Sequence, residues 1–249
     1  MKKIPLKRVD ELLLEKKLIK EIKEAEALIL AGKVHTDSFK ITFPSEKIKI
    51  TENLYVKTKL KSFVSRGGEK LQKALEQFEI DLNDLVCLDV GSSTGGFTDC
   101  MLQNGAKKVY SVDSGTNQLD LSLRNNSKVI VMEQYNFKLA NAKDFPELMD
   151  FIAIDVSFIS LKNIFPNTNL LIKQNGSIVA LVKPQFEAPS KLVDGGYVDQ
   201  KYHEEILINI KKYALENNLK VINVIESPIL GQKKKNIEYL FFIKKVMVK

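Results

Sequence analysis

The sequence predicts an α/β protein in which a Rossmann-like, doubly wound sheet follows a small N-terminal α+β module. Three observations support this fold class. From residue 85 to near the end of the chain, apolar segments of strand length alternate with segments of helical periodicity. The first of these strands runs into a glycine-rich turn and then a helix. The first 60 residues instead combine two short amphipathic helices with short strand-like pieces.

This alternation predicts the position of each element. In the larger part we expect strands at 85–90, 109–112, 129–132, 151–155, 177–183, 221–226 and 237–243, and helices at 67–78, 97–103, 161–173 and 202–217. In the N-terminal module we expect one helix at 9–18, a second that begins at 22 and ends at Gly32, and strand pieces at 33–35, 40–43, 47–50 and 54–56. The predicted domains are therefore 1–60 and 67–249, joined by a linker at 61–66.

The glycine-rich turn is the feature of the chain most typical of a binding site. Gly91, Gly95 and Gly96 have no Cβ, so the backbone can turn sharply and approach a ligand closely. Asp89 and Asp113 end two successive strands, where a carboxylate suits a ribose diol or an amine and repels a phosphate. The spacing matches neither a dinucleotide fingerprint nor a P-loop. The turn predicts a nucleoside ligand without phosphates, most commonly S-adenosylmethionine; the alternative is an ordinary glycine-rich αβ turn.

Two later strands end in charged residues that a purely structural strand would not need. Asp155 closes one of them, and Lys183, held extended by the proline that follows it, closes the next. Strand ends on this side of an α/β sheet face the ligand crevice. A lysine there could accept the proton of a ribose 2′-hydroxyl, with carboxylates balancing its charge. A structural Asp–Lys pair is the alternative explanation.

The charge of the chain is unevenly distributed. The net charge is +7 and the pI is about 9.1. Residues 1–73 carry 18 Lys and Arg against 10 Asp and Glu, whereas the remainder carries 20 against 21. A basic module joined to a neutral one suggests that the first part binds a polyanion on which the second part acts. A lysine-rich, merely solvated surface would give the same count.

Composition excludes several classes of protein. Cys87 and Cys100 are isolated, so we expect reduced, buried thiols and not a disulfide. With His35 and His203 the only histidines, no metal-ligand cluster is predicted. No segment resembles a signal peptide or approaches the roughly 20 apolar residues of a membrane span. We therefore expect a cytoplasmic, metal-free protein.

The N-terminal module resembles the small S4-type RNA-binding domain found in a small-subunit ribosomal protein and in several RNA-modifying enzymes. In that domain the second helix and the loop after it lie against the RNA backbone, which gives affinity with little sequence information. The resemblance implies phosphate contacts from Lys20, Lys23 and Lys33. Arg8 and Arg66 are further candidates for RNA binding.

Several longer blocks make the whole chain similar to one family, TlyA, also called haemolysin A. The blocks are 61–71, 89–99, 155–161, 181–187, 227–229 and 236–239. Members of this family are bacterial 2′-O-methyltransferases of ribosomal RNA with an FtsJ-like catalytic domain. The resemblance implies S-adenosylmethionine-dependent methylation of a ribose, with cytidine as the expected nucleotide, in large-subunit and in some members also small-subunit rRNA. The implied partner is rRNA or a ribosomal subunit.

The resemblance also implies roles for individual residues. The Lys-Asp-Lys-Glu catalytic tetrad of the family corresponds to Lys70, Asp155, Lys183 and Glu238. Cofactor-binding positions correspond to Asp89, Gly91, Gly95, Phe97, Asp113 and Asn136, to which the glycine-rich turn adds Ser93 and Gly96. Two other functions stay open at this point: an RNA-binding protein with an inactive methyltransferase domain, and a membrane-active haemolysin.

Overall fold

The chain forms two compact units, Met1–Ser62 and Phe63–Lys249. The computed structural model describes residues 4–19, 21–30, 32–56, 63–231 and 235–246. The predicted linker at 61–66 falls at the boundary between the units. Its described part belongs to the second unit, where Phe63 packs against the core and the Val64 N–H donates to Asp99 Oδ2 at 2.9 Å.

The first unit combines helices with antiparallel ribbons. Its elements are β1 (Leu6–Arg8), α1 (Val9–Glu15), α2 (Ile22–Leu30), β2 (Val34–Thr36), β3 (Lys47–Lys49) and β4 (Leu54–Val56). Strand β1 pairs with β3, and β2 pairs with β4. Both predicted helices are confirmed, although the first ends earlier. The strand predicted at 40–43 is wrong, because the pairing there is confined to a single bridge between Lys40 and His35, and residues 41–43 leave the ribbon.

The second unit alternates strands with helices. Its helices are α3 (Gly67–Gln77), α4 (Gly96–Gln103), α5 (Leu121–Arg124), α6 (Phe165–Leu171), α7 (Pro184–Glu187) and α8 (His203–Glu216). Its strands are β5 (Val86–Val90), β6 (Lys108–Val112), β7 (Val129–Met132), β8 (Met149–Ile154), β9 (Ile172–Val182), β10 (Val193–Asp194), β11 (Tyr197–Val198), β12 (Leu219–Glu226) and β13 (Tyr239–Lys245). Short 3-10 turns lie at Phe137–Leu139, Ala142–Asp144, Leu161–Asn163, Ser190–Leu192 and Gln200–Tyr202.

In the described part of this unit, seven strands form one sheet in the order β12-β13-β9-β8-β5-β6-β7. The strands from β5 to β9 run parallel, and β13 and β12 add an antiparallel pair at one edge. The predicted doubly wound fold and its strands are confirmed. The helix predicted at 161–173 is shorter, since Ile172 already pairs with Met149 of β8. At this end of the predicted helix, pairing with β8 takes precedence over the helical periodicity of the sequence.

The central strands are buried on both faces, because helices cover the sheet on each side. Leu88 and Ile152 pack into one core, and Cys87 and Phe151 pack into the other. The chain leaves β5 in one direction for β6 and reaches β8 on the opposite side. This reversal between β5 and β8 is the switch point at which open α/β sheets bind ligands, outside the carboxyl ends of the strands.

The structure also bears on the thiols, the metal ligands and the membrane spans that the sequence analysis considered. The thiols of Cys87 and Cys100 are both buried, as expected from their isolation in the sequence. Within the described ranges, no group of three or more His, Cys, Asp and Glu side chains is arranged to hold a metal ion. Among the helices described, none is both long enough and apolar enough to cross a membrane.

Candidate active site

A cleft of about 870 Å³ opens at the carboxyl edge of the parallel strands. Its walls come from the start of α3, the glycine-rich turn after β5, the segments that follow β8 and β9, and the segment before β13. All four residues of the predicted catalytic tetrad line it, namely Lys70, Asp155, Lys183 and Glu238. Residues separated by up to 168 positions in the sequence are therefore brought into one cavity.

Asp155 and Lys183 form the first of two ion pairs in the cleft. They follow the neighbouring parallel strands β8 and β9 directly, so both leave the sheet at the same edge. Lys183 Nζ lies 2.6 Å from Asp155 Oδ1 and donates to Ser157 Oγ at 2.9 Å. The backbone of Lys183 is extended, with φ −113° and ψ 103°, as the proline after it predicts.

Lys70 and Glu238 form the second ion pair, with Lys70 Nζ 2.6 Å from Glu238 Oε2. Lys70 lies on α3, whose apolar face packs into the core through residues such as Leu71 and Leu75. Its side chain is only 13% exposed, and that of Glu238 is 4% exposed. Lys70 is therefore not the solvated lysine of an ordinary surface helix.

The sheet register explains why Glu238 reaches the cleft. Strand β13 is antiparallel to β9 and places Tyr239 opposite Val182. The residue just before β13 therefore lies beside the residue just after β9. The sequence predicts a strand from 237, whereas the structure begins it at Tyr239, so Glu238 precedes the strand. Periodicity gives no signal for this residue, and only the family resemblance identified it.

The glycine-rich turn adopts backbone conformations that favour glycine. Gly91 has φ +86°, and a Cβ there would lie 2.5 Å from the carbonyl oxygen of Asp155. Gly95 has φ +96° and stands at the start of α4. The carboxylate of Asp113 spans the turn and the next loop, since its two oxygens accept from the N–H groups of Ser93 at 2.8 Å and Gly115 at 2.7 Å. Asp113 therefore fixes the turn.

Asp89 lies in a different environment from the one expected. Its side chain is fully buried on the α4 side of the sheet and does not line the cleft. Asp89 Oδ2 accepts from Thr98 Oγ1 at 2.6 Å, and Thr98 in turn contacts Ser111 Oγ at 2.7 Å. Burial raises the pKa of Asp89 to about 7, more than the Thr98 hydrogen bond lowers it. This side chain acts within the core, below the turn, and not at the rim.

The other predicted cofactor residues divide into two groups. Gly96, Phe97 and Ser93 line the cleft. Gly96 lies where a Cβ would be 2.3 Å from Ser65 Oγ, so it allows close packing of α4 on the start of α3. Asn136 and Asp113 lie outside the cleft wall formed by the described residues. The side chain of Asn136 caps a 3-10 turn by accepting from the Lys138 N–H at 3.1 Å.

Glu133 is a residue of this region that the sequence analysis did not single out. It follows β7 and accepts from three successive backbone N–H groups, those of Asn117, Gln118 and Leu119, at 2.9 to 3.3 Å. Arg124 Nη2 also donates to it at 2.7 Å. The Arg124 guanidinium, helped by these amides, lowers the pKa of Glu133 to about 2. Glu133 therefore holds the loop after Asp113 in place as a carboxylate.

Two aromatic rings flank the Asp155–Lys183 pair. Phe158 and Phe186 both line the cleft, with ring centroids 5.0 Å apart. Phe158 is 87% exposed and has φ +62°, an unusual backbone conformation for a bulky residue. Sequence reasoning missed both rings as site residues. An apolar residue in a loop has no periodicity that would distinguish an exposed ring from a buried one.

The predicted RNA-binding residues fall on both units. Lys23 is exposed on α2, and Lys33 is half-buried just before β2. Arg8 is exposed at the end of β1, but its guanidinium pairs with Asp10 at 2.6 Å. Lys20 lies outside the described residues. Arg66 belongs to the second unit, where it is exposed and lines the cleft.

A sheet in this order, with a glycine-rich turn at its switch point and charged residues closing the neighbouring strands, has the Rossmann-like form expected of a methyltransferase. The comparison with protein families agrees, because the model of the FtsJ-like methyltransferase family matches residues 63–245. The chain belongs to the FtsJ-like methyltransferase family. The match covers almost the whole of the second unit.

Individual relatives extend the similarity over nearly the whole chain. The protein named 16S/23S rRNA (cytidine-2'-O)-methyltransferase TlyA, from Mycobacterium tuberculosis, is 35% identical over 95% of this chain and 89% of its own length. Hemolysin A of Brachyspira hyodysenteriae is 42% identical over 94% and 98%. A solved chain described as "Putative hemolysin from Streptococcus thermophilus" is 42% identical, covers 98% of this chain and 90% of that one, and has a TM-score of 0.73. The resemblance to the TlyA and haemolysin A proteins is confirmed.

The buried carboxyl of Asp89 should make the stability of the protein depend on pH. Its folded pKa, about 7, lies above the ordinary value of 3.8, so the folded state holds a proton that the unfolded state releases between these values. The stabilisation that the bound proton gives the folded state is fully present below pH 4 and is lost as the pH rises through 7. We therefore expect the free energy of unfolding, measured by urea unfolding, to fall less between pH 5 and pH 8 in Asp89→Asn than in the wild type.

Asp120→Asn is the matched control, since Asp120 is exposed and caps α5. That variant should keep the pH dependence of the wild type. The burial of Glu187 also raises its pKa to about 7, so part of the slope should remain in Asp89→Asn. An Asp89→Asn variant with the full wild-type slope would contradict the assignment of the proton to Asp89.

Proposed function

We propose that this protein methylates a ribose 2′-hydroxyl in ribosomal RNA, at a cytidine, using S-adenosylmethionine. The observation that carries the proposal is the convergence of Lys70, Asp155, Lys183 and Glu238 as two ion pairs in one cleft. Two further facts support it: the membership of the FtsJ-like family, and a relative of similar length whose name states cytidine 2′-O-methylation of rRNA.

The residues of the cleft suit S-adenosylmethionine as the cofactor. The glycine-rich turn presents small and neutral side chains to the cleft, those of Ser92, Ser93 and Thr94, and no lysine or arginine that would favour a phosphate. The half-buried carboxylate of Asp113 lies behind this turn and suits a ribose diol. When bound, S-adenosylmethionine supplies an electrophilic methyl group on a sulfonium. We assign its binding to the turn, with Phe97 in the wall, Asp113 and Asn136 in the adjoining loops, and Asp89 beneath.

Lys183 is the group best placed to act on the ribose hydroxyl. Methylation forms a bond from the methyl carbon to the 2′-oxygen, breaks the bond to sulfur and removes the hydroxyl proton. Lys183 Nζ, held by Asp155 and Ser157, can hydrogen-bond that oxygen and either accept the proton or stabilise the negative charge that develops there. Lys70 and Glu238 form a second, neutral charge pair in the same cleft, next to Lys183.

The target nucleotide also needs a surface for its base. Sequence-specific RNA recognition uses unstacked bases that stack on aromatic side chains. The exposed ring of Phe158, backed by Phe186 beside Lys183, offers such a surface at the mouth of the cleft. We infer that the base of the target nucleotide contacts this pair of rings.

We assign RNA capture to the first unit. We propose that residues 1–60 form an S4-type RNA-binding domain, residues 61–66 a linker and residues 67–249 the methyltransferase domain. The charge distribution supports this division, since residues 1–60 carry 14 Lys and Arg against 9 Asp and Glu. Lysines such as Lys23 would contact phosphates and provide affinity, and the cleft would select the nucleotide.

Removing the Asp113 side chain should weaken cofactor binding. We expect Asp113→Ala to reduce the binding free energy for S-adenosylmethionine by about 1–3 kcal/mol, because hydrogen bonds to a carboxylate are removed and the turn is released. Isothermal titration calorimetry measures this reduction. Asp120→Ala, which removes a side-chain cap of α5 but no side-chain bond to the glycine-rich turn, is the control. Unchanged affinity in Asp113→Ala would remove this residue from the cofactor site.

Removing the Lys183 amine should affect chemistry and not cofactor binding. We expect Lys183→Ala to lower turnover on rRNA roughly 100-fold or more while cofactor affinity stays near the wild-type value. Lys183→Arg keeps the positive charge but cannot accept a proton at accessible pH, so it separates the two roles of the lysine. Lys191→Ala, at an exposed lysine nearby, should be fully active. Full methylation by Lys183→Ala would refute the mechanism.

Removing lysines from the first unit should weaken RNA binding in a salt-dependent way. We expect the triple change of Lys20, Lys23 and Lys33 to glutamine to lower the slope of log affinity against log salt by roughly 0.7–0.9 for each phosphate that the variant no longer neutralises. The control changes Lys107, Lys128 and Lys220 to glutamine, which gives the same net charge from exposed sites on the second unit. An equal salt slope in both triple variants would show that the first unit does not hold the RNA.

A further inference from the structure

The two segments that carry Asp155 and Lys183 are cross-linked along their length. One segment, residues 155–161, follows β8, and the other, residues 183–187, follows β9. At the sheet they are joined by the contacts of Lys183 with Asp155 and Ser157. Farther out, the rings of Phe158 and Phe186 meet. Successive contacts therefore run outward from the catalytic pair.

The outermost contact of this series is made by Glu187, the last residue of α7. Glu187 Oε2 accepts from Ser160 Oγ at 2.6 Å, and Glu187 Oε1 accepts from the Leu161 N–H at 2.9 Å. Both carboxylate oxygens are thus directed at the far end of the 155–161 segment. Glu187 is partly buried and does not line the cleft, so it is not placed to contact a substrate.

The 155–161 segment needs such an anchor because its backbone is strained. Phe158 has φ +62°, and a bulky residue keeps a left-handed conformation only where the surrounding structure enforces it. The segment is held at its start by the Asp155 N–H, which donates to Val90 O at 2.9 Å. Its far end is held by Glu187. Between these two anchors lie the residues that contact Lys183 and the exposed ring.

We propose that Glu187 is a positioning residue, which holds the 155–161 segment so that Asp155 and Ser157 align Lys183 and Phe158 projects into the mouth of the cleft. The proposal rests on the proposed methyltransferase function. Releasing the far end of the segment would let the Lys183 partners move, and displacements of about 1 Å in a catalytic geometry can lower a rate by 10²-fold. Cofactor binding would be unaffected, because the end of the segment that adjoins Gly91 keeps its own hydrogen bond from the Asp155 N–H to Val90 O.

Two variants of Glu187 test this role in the full-length protein. Glu187→Ala removes both hydrogen bonds and should lower kcat on rRNA by about 10- to 100-fold, with an unchanged Kd for S-adenosylmethionine. Glu187→Gln should restore kcat, because its amide can accept from the Leu161 N–H and donate to Ser160 Oγ. Hydrogen–deuterium exchange of residues 156–161 should accelerate in Glu187→Ala and return to the wild-type rate in Glu187→Gln.

Two controls separate positioning from general stability. Glu147→Ala removes a carboxylate that pairs with Lys108 and Tyr110, away from the cleft, and should leave kcat unchanged. Ser160→Ala removes one of the two Glu187 contacts, together with the hydrogen bond from the Lys162 N–H that caps the 3-10 turn. It should lower kcat to a lesser degree than Glu187→Ala, which keeps the test valid if Glu187→Ala does not fold. Wild-type kcat in Glu187→Ala and Ser160→Ala, or a Glu187→Gln variant as impaired as Glu187→Ala, would overturn the proposal.

The exchange measurement distinguishes this proposal from the proposed function. If the wild-type protein does not methylate rRNA, the function fails for every variant, yet faster exchange at 156–161 in Glu187→Ala alone would still support the anchoring role. If the wild type is active and exchange at 156–161 is the same in all variants, the anchoring role fails and the function stands.

Discussion

The antiparallel pairing of β13 with β9 is the constraint on which the active site depends. It brings Glu238, before one strand, and Lys183, after the other, to the same edge of the sheet. Strand β13 is buried on both faces, so apolar alternation does not choose its register. Polar contacts at the two ends of the strand fix its register instead. Glu238 pairs with Lys70, and Lys244 Nζ donates to Ser177 Oγ at 2.6 Å. A slip of one residue would break both contacts.

The two ion pairs depend on that geometry for their stability as well. Both lysine side chains are about seven-eighths removed from water, with exposures of 13% for Lys70 and 12% for Lys183. Removing charges from water costs several kcal/mol for each ion, and only close, well-oriented partners compensate for this cost. Because the four partners come from separate elements, each pair forms only when the whole unit has folded. The catalytic charges are therefore preorganised by the fold and need little rearrangement.

Much of this arrangement could be predicted from the sequence, and the exceptions have physical causes. Strand ends indicated Asp155 and Lys183, because residues that close parallel strands share one edge. Glu238 had no such signal, since its position depends on the register of an antiparallel strand. Asp89 was expected at the rim, but the pleat of β5 turns its side chain toward Thr98 and the core. Glu187 and Glu133 were missed because they bond backbone amides and side chains of other loops, and such contacts leave no pattern in the sequence.

Three carboxylates around the cleft hold their loops by the same kind of hydrogen bond. Asp113, Glu133 and Glu187 each accept backbone N–H groups and so fix the loops around the cleft without contributing a side chain to its wall. Their environments nevertheless differ. The Arg124 guanidinium keeps the pKa of Glu133 at about 2, whereas burial raises that of Glu187 to about 7. The loop on the cofactor side is thus held by a permanent charge, and the segment beside Lys183 by a carboxyl that exchanges its proton near neutrality. A protonated Glu187, like the amide in Glu187→Gln, can still accept from the Leu161 N–H and donate to Ser160 Oγ, so the segment beside Lys183 keeps its anchor in either protonation state.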